Sequence, residues 1–161
     1  YSTLWTATGF PSPTYSSTGS LPPGLALDAA TGLRSGTPTT AGVFKFKVVA
    51  SNTSGKASTS ATQTVTIKLA LESNEVGITG TATVGQTLTA ETDPWGPGTV
   101  KLSYKWERSS NGATWSTISK ATKATYKLTG SDKKHRVRVV VTGTETGYTT
   151  ASVASESDTL S

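Results

Sequence analysis

Short stretches of alternating apolar and polar residues recur along the chain, and a period of two predicts β-strands. The clearest stretch is Val43–Ser51. One of its faces is apolar and the other is mixed: the first consists of Phe44, Phe46, Val48 and Ala50, and the second of Val43, Lys45, Lys47 and Val49. No stretch repeats apolar residues at the helical spacing of i, i+3, i+4 and i+7 over about three turns. The pattern therefore indicates an all-β protein.

The pattern predicts about six short strands in the first seventy residues. The stretches that define strands are Tyr1–Thr8, Leu25–Leu27, Leu33–Ser35, Val43–Ser51 and Thr62–Leu69, the last with Val65 and Ile67 facing inward. Phe10–Pro13 is predicted to be a turn region, because its two prolines donate no backbone hydrogen bond to a sheet. Asn52–Lys56 is typical of the connection in a hairpin.

The remainder of the chain alternates in the same way. Its predicted strands are Val76–Gly80, Thr87–Glu91, Val100–Arg108, Thr125–Leu128, His135–Thr142 and Ala151–Leu160. The apolar face of Val100–Arg108 consists of Val100, Leu102, Tyr104 and Trp106. Within His135–Thr142, the arginines alternate with Val137, Val139 and Val141, so we expect the valines in the core and the arginines in solvent.

Turn residues are densest in Leu21–Asn52, where glycine permits positive φ and proline fixes φ near about −65°. Asp28 is expected to accept hydrogen bonds from the backbone just ahead of it. It is also the one acidic residue among residues 1–70. Because a calcium site needs several oxygen ligands, we predict a turn-stabilising role for Asp28 and not a metal site.

The charge balance of the chain changes near residue 70. Residues 1–70 contain five Lys and Arg and one acidic residue, whereas residues 71–161 contain ten and nine. A chain of 161 residues is long enough for two small domains. We therefore predict one domain over residues 1–70 and another over residues 71–161, joined by a short linker at about Lys68–Asn74.

The composition excludes several kinds of site. The chain has no cysteine, so it has no disulfide, thiol nucleophile or cysteine-ligated metal. No apolar run reaches the roughly 18 residues of a membrane-spanning helix. No signal peptide is present, and we expect a mature fragment of a longer chain. The formal net charge of +5 is mild and does not indicate specific binding of nucleic acid.

The motifs of the first segment occur in a fixed order. P-x-P-x-Y at Pro11–Tyr15 is followed by LPPGL, LD, TG, SGTP, AG and finally F-x-F-x-V-x-A-x-N, which ends at Asn52. This order resembles the Putative Ig domain family of bacterial cell-surface proteins, and the resemblance covers nearly all of residues 1–70. It implies an Ig-like antiparallel β-sandwich. Members of that family usually have further strand residues upstream of Tyr1, so the first strand is expected to be incomplete.

A second set of motifs spans Val76 to Ser155. VGQTLTA, the Trp95 loop, Y-x-W, Y-x-L-x-x-x-D, V-x-V-x-VTGT and GYT together resemble the tandem Ig-like repeats of Gram-positive, especially actinobacterial, surface proteins. Trp106 stands where an Ig-like sandwich buries the tryptophan of strand C, although the usual partner disulfide is missing. The resemblance implies a second Ig-like β-sandwich without disulfides, in an extracellular protein that is secreted or attached to the wall of a Gram-positive bacterium.

Two groups of residues are candidates for binding a ligand, and both lie in the second domain. The basic group consists of Lys133, Lys134, Arg136 and Arg138, with Lys120, Lys123 and Lys127 nearby. It could attract an anionic polymer, or it could be a solvated strand whose charge discourages edge-to-edge pairing. The aromatic candidates, Trp95 and Trp115, could stack on pyranose rings or pack as scaffold. We favour the solvated strand and the scaffold.

Catalytic chemistry is not indicated by the sequence. His135 has no Ser or Asp in a recognisable triad context. Paired carboxylates for glycoside hydrolysis would fall at positions that strands and turns already explain. We predict that the chain is not an enzyme and that it binds no cofactor and no metal.

The function expected from these patterns is a non-catalytic structural or adhesive spacer in a bacterial secreted or cell-surface protein. The alternative is a carbohydrate-binding or cell-wall-polymer-binding accessory module of a larger secreted enzyme. Its partners would be a polysaccharide, an anionic cell-wall polymer or neighbouring domains of the same protein. We expect a monomer with no membrane span.

Overall fold

The computed structural model describes residues 1–155 and the backbone of residues 158–159. The chain divides into two compact units, Tyr1–Leu69 and Ala70–Ser161, which we call the N-terminal unit and the C-terminal unit. Strands dominate both units, the strand pairs within the sheets are antiparallel, and the chain has no cysteine. The all-β, disulfide-free fold class predicted from the alternating pattern is confirmed.

The N-terminal unit consists of two antiparallel sheets. Its strands are β1 (Ser2–Leu4), β2 (Thr14–Gly19), β3 (Leu25–Leu27), β4 (Leu33–Gly36), β5 (Gly42–Ser51), β6 (Ala57–Thr59) and β7 (Gln63–Ile67). In one sheet β4 lies between β1 and β3, and in the other β5 pairs with β2, β6 and β7. Phe46, Val48 and Ile67 are buried as expected. A two-residue strand, β8 (Leu69–Ala70), follows at the boundary of the units.

The strand β2 was not predicted from the sequence. Its residues, TYSSTG, contain a single large apolar side chain, Tyr15, so they carry no alternation to detect. The strand is defined by its partner, because all six residues pair with β5, from Thr14 opposite Ser51 to Gly19 opposite Phe46. Conversely, the predicted strand Tyr1–Thr8 is confined to β1, three residues long.

A charged side chain shares the interior of the N-terminal unit. Arg34 is 6% exposed and lies beside Phe46, with its guanidinium carbon 5.3 Å from the ring centroid. Its Nη2 donates a hydrogen bond to Oγ1 of Thr3 at 3.0 Å, whereas Nε has no hydrogen-bond partner among the described residues. Burial of a guanidinium costs free energy, which a cation–π contact offsets in part. Within the described part of the chain, Arg34 has no carboxylate partner to offset the rest.

The C-terminal unit is also built from a smaller and a larger sheet. Its strands are β9 (Val76–Thr79), β10 (Thr87–Thr92), β11 (Lys101–Ser109), β12 (Ser116–Thr117), β13 (Thr125–Lys127), β14 (Arg136–Thr144), β15 (Tyr148–Thr149), β16 (Ala151–Ala154) and β17 (Asp158–Thr159). The sheet orders are β13-β10-β9 and β12-β11-β14-β16, with β17 also paired to β14. A 3₁₀-helix, Gly130–Asp132, precedes β14. Residues 156, 157 and 160 of the predicted last strand lie outside the described residues.

The core of the C-terminal unit is centred on Trp106. Its ring is fully buried and lies 5.6 Å from the ring of Tyr126, and its Nε1 donates to the carbonyl oxygen of Lys123 at 2.9 Å. The surrounding buried side chains include Leu88, Leu128, Val137, Val139 and Val141. Each large apolar side chain that is fully buried stabilises the fold by about 1.5–3 kcal/mol. The apolar face predicted for β11 is confirmed by this packing.

Candidate functional site

The predicted basic residues of β14 lie on the outer face of the larger sheet of the C-terminal unit. Pairing of β11 with β14 places Glu107 opposite Arg138 and Ser109 opposite Arg136. The three alternating valines of β14 have no exposed surface. This confirms that the valines face the core, and the arginines consequently lie on the opposite face of the sheet.

Arg138 is engaged by two neighbours on this face. Its Nε and Nη2 donate hydrogen bonds to Oε2 of Glu107 at 2.9 and 2.8 Å. Its guanidinium carbon lies 4.2 Å from the ring centroid of Trp115. The second oxygen of Glu107 lies 2.7 Å from Nζ of Lys105. The structure therefore brings Trp115 and Arg138 together, but as partners of each other, with the arginine charge compensated by Glu107.

Glu107 is a buried carboxylate that is held in its ionised form. Burial acts to raise its pKa, but hydrogen bonds from Lys105 and Arg138 and the charges of both residues hold the pKa below its ordinary value. A general acid at neutral pH needs a raised carboxyl pKa, so this shift is in the wrong direction for that role. Glu107 is best described as the centre of a structural ion-pair group.

Trp95 does not lie at the surface. It is 4% exposed and packs in the core of the C-terminal unit against Leu71 and Gly143. The fit to Gly143 is so close that a Cβ there would lie 2.5 Å from Cε3 of the Trp95 ring. Trp95 therefore has no open ring face, which the alternative of stacking on a sugar would need. The scaffold role is the one that this packing supports.

The other predicted basic residues remain accessible. Lys133, Lys134 and Arg136 are exposed, and none of them has an ion-pair partner within the described part of the chain. His135 lies between Lys134 and Arg136, and its Nδ1, when it carries the proton, donates a hydrogen bond to the carbonyl oxygen of Lys133 at 2.9 Å. For these residues the solvated strand stays the favoured prediction, and binding of an anionic polymer stays the alternative.

The nearby lysines line a depression of their own. Lys120, Lys123 and Lys127 surround a volume of about 250 Å³ together with the ring of Tyr126. Lys133, Lys134 and Arg136 do not contribute to its lining. The basic residues that are close in sequence are thus not one continuous site.

Asp132, the last residue of the motif Y-x-L-x-x-x-D, lies in a polar network that the sequence did not predict. The residue has no exposed surface, and its Oδ2 accepts hydrogen bonds from Tyr126 Oη, Thr129 N and Thr129 Oγ1 at 2.8, 2.8 and 2.7 Å. Burial acts to raise the pKa of Asp132, but these hydrogen bonds and one from Arg108 hold it below its ordinary value. Burial and the hydrogen bond to Asp132 raise the pKa of Tyr126. The network fixes the turn before β14 to the core.

The turn at Asp28 is stabilised as predicted. Its Oδ1 accepts hydrogen bonds from Ala30 N, Thr31 N and Thr31 Oγ1 at 3.0, 2.7 and 2.7 Å.

Among the residues that the structure describes, no three His, Asp or Glu side chains are placed to hold a metal ion together. In the same residues, no helix is long and apolar enough to cross a bilayer.

A larger cavity lies in the N-terminal unit, where the sequence indicated no binding site. It has a volume of about 480 Å³ and is bordered by Phe10, which is 94% exposed, and by Asn52 and Lys56. Phe10 stands alone between Gly9 and Pro11 in a turn region, so no periodic pattern can assign its side chain to the core or to the surface. The sequence marks this position only through the turn-forming residues Gly9 and Pro11 on either side of Phe10.

Each half of the chain matches the model of a protein family. Residues 2–70 match the model of the Putative Ig domain family. Residues 72–159, more than half of the chain, match the family described as Domain of unknown function (DUF8696). The chain belongs to this family. No curated protein matches the chain.

The first match confirms the Ig-like β-sandwich expected for residues 1–70 and indicates a non-catalytic module, since domains of this family are usually not enzymes. The second match does not confirm the resemblance of Val76–Ser155 to tandem Ig-like repeats of Gram-positive surface proteins. That resemblance stays a prediction.

Proposed function

We propose that this chain is a structural spacer of a bacterial secreted or cell-surface protein, and that it carries out no catalysis. The observation that carries the proposal is the state of the charged groups buried in the C-terminal unit. Glu107 is bonded to Arg138 and Lys105, Asp132 accepts from Tyr126, Thr129 and Arg108, and both carboxyl groups have lowered pKa values. Such groups hold strands and turns together and are not poised to transfer a proton.

The aromatic residues support the same proposal. Trp95 and Trp106 fill the interior of the C-terminal unit, and Trp115 is covered on one face by Arg138. All three contribute to packing, which is what a module must have if it is to hold its shape without disulfides. The alternative function, a carbohydrate-binding accessory module, is therefore the weaker proposal where it relies on Trp95, Trp115 and Arg138.

The extracellular location is part of the proposal and has its own support. The chain combines turn-rich β-sandwich architecture with a complete lack of cysteine, a combination that many secreted bacterial proteins share. An adhesive contribution would come from exposed basic side chains, such as Lys133 and Lys134, repeated over several copies, since weak contacts become strong when they are multivalent. Protease treatment of intact bacterial cells that carry the native protein would test its surface location.

A spacer must resist force, and this can be measured on single molecules. We expect two discrete unfolding events when the chain is pulled from its termini. The contour lengths released should be roughly 24 nm for residues 1–69 and roughly 32 nm for residues 70–161, less the folded span of each unit, because an extended residue covers about 3.3–3.6 Å. Gradual extension of either unit without a discrete event would contradict the spacer proposal.

A further inference from the structure

The cavity of the N-terminal unit has the features of a ligand site. Its walls come from the segment between β1 and β2, which contains Phe10, and from the end of β5 with the hairpin turn that leads to β6. A volume of about 480 Å³ lies within the range of roughly 300–1,000 Å³ that small-molecule sites have. This is enough for one or two sugar rings.

The two walls are held together by the side chain of Asn52. Its Nδ2 donates to the carbonyl oxygen of Pro11 at 3.3 Å, which ties the hairpin turn to the Phe10 segment. Its Oδ1 accepts a hydrogen bond from Ser54 N at 3.2 Å. At the other end of the Phe10 segment, Ala7 N donates to Tyr15 Oη at 2.8 Å and fixes the chain to the core. The cavity is thus shaped by the fold before any ligand enters.

Phe10 is placed to act as a platform in this site. With 94% of its surface exposed, it contributes nothing to the core of the N-terminal unit. A single exposed apolar residue is ordinary, but this one borders a cavity whose other walls carry hydroxyl, amide and ammonium groups, as in Ser54, Asn52 and Lys56. An aromatic face beside such polar groups suits a pyranose ring, which has an apolar face and a hydroxylated rim.

The charge of the N-terminal unit indicates the class of sugar. Lys56 borders the cavity, and within the described residues it has no ion-pair partner. Residues 1–69 contain five Lys and Arg and one acidic residue, Asp28, which does not line the cavity. The local field therefore favours a negatively charged ligand over a neutral or cationic one.

We propose that this cavity, which we call the Phe10 cleft (Phe10, Asn52, Ser54 and Lys56), binds an acidic glycan. A pyranose ring stacks on Phe10 and its carboxylate pairs with Lys56. Because Oδ1 of Asn52 already accepts from Ser54 N and Oγ, the sugar hydroxyls accept from the second N–H of Asn52 Nδ2 and donate to Oγ of Ser54. This binding function goes beyond the spacer role and does not depend on it.

The test is a titration of the isotope-labelled chain with trigalacturonate, followed by amide NMR signals. We expect shifts concentrated in residues 7–13 and 50–58, with a dissociation constant in the region of about 1 mM. Phe10→Ala should weaken binding by about two- to tenfold, because the stacking contact is lost. The matched control is Tyr1→Ala, which removes another exposed aromatic of the same unit that does not line the cleft.

Two further comparisons test whether the negative charge of the ligand is what the cleft recognises. Lys56→Gln should weaken binding of trigalacturonate several-fold, whereas Lys68→Gln, outside the cleft, should not. A neutral trisaccharide and inorganic phosphate should each bind more weakly than trigalacturonate. Equal binding of the neutral trisaccharide, or shifts spread over all exposed lysines and unchanged in Phe10→Ala, would overturn the proposal. Because Phe10 is exposed, well-dispersed spectra of its variant should confirm that it folds.

Discussion

Replacement of Trp106 by alanine should destabilise the C-terminal unit more than truncation of any other side chain in its core. Truncation of a buried Trp costs about 3–5 kcal/mol through lost burial and the cavity left behind. The variant also leaves the carbonyl oxygen of Lys123 without the donor that Trp106 supplies. For a unit of this size the thermal midpoint should fall by roughly 15–30 °C, which circular dichroism can measure.

The control for this substitution is Trp115→Ala. It removes the same side chain from a half-buried position, where the ring packs against Arg138 and not in the core. We expect it to cost about 1 kcal/mol, the value of a cation–π contact near the surface with its local packing. If both substitutions lowered the thermal midpoint equally, the assignment of Trp106 as the centre of the core would be incorrect.

Asp132→Asn should also destabilise the C-terminal unit strongly. Oδ2 of the carboxylate accepts three short hydrogen bonds. An amide oxygen can take its place, but the amide N–H group then faces the donor Nη1 of Arg108, and the negative charge that strengthens these hydrogen bonds is lost. Loss of hydrogen bonds to a buried charged group costs about 2–4 kcal/mol. Denaturant unfolding at pH 7 should show this difference, and Asp93→Asn, at an exposed position, should be nearly neutral.

The wild type and Asp132→Asn should also differ in pH dependence. The folded-state pKa of Asp132 is lowered, so its contribution is complete above the unfolded value, about 3.9, and is lost as the pH falls through the folded value. The free energy of unfolding of the wild type should therefore fall below about pH 4, and its advantage over Asp132→Asn should shrink. An advantage that stayed constant between about pH 6 and pH 2.5 would show that the charge of Asp132 is not what the network binds.

The elements that the sequence predicts well are those in which one strand carries its own pattern. β5 and β14 place apolar residues at every second position over most of their length, and Phe46 and Val139 are buried as that period requires. β2 has no such pattern, and it forms because its backbone pairs with β5. Backbone pairing depends on a partner distant in sequence, and a local pattern cannot supply it.

The candidate residues follow the same rule. The period of two predicts that Arg136 and Arg138 point away from the core. It does not predict which residue pairs with Arg138. Glu107 lies 31 residues away and meets Arg138 only because of the register between β11 and β14. Trp95 and Phe10 both stand in turns beside proline, yet one is buried and the other exposed. Their difference arises from tertiary packing, such as the space that Gly143 leaves for the Trp95 ring.

If this chain is a structural module, each of its units is held by its own packed interior. This is tested most directly by equilibrium denaturant unfolding of the wild type, followed through amide NMR signals of both units, with and without EDTA. We predict a cooperative transition for each unit and the same midpoints with and without EDTA. A midpoint that falls when EDTA is added, or a unit that shows no cooperative transition, would contradict this account.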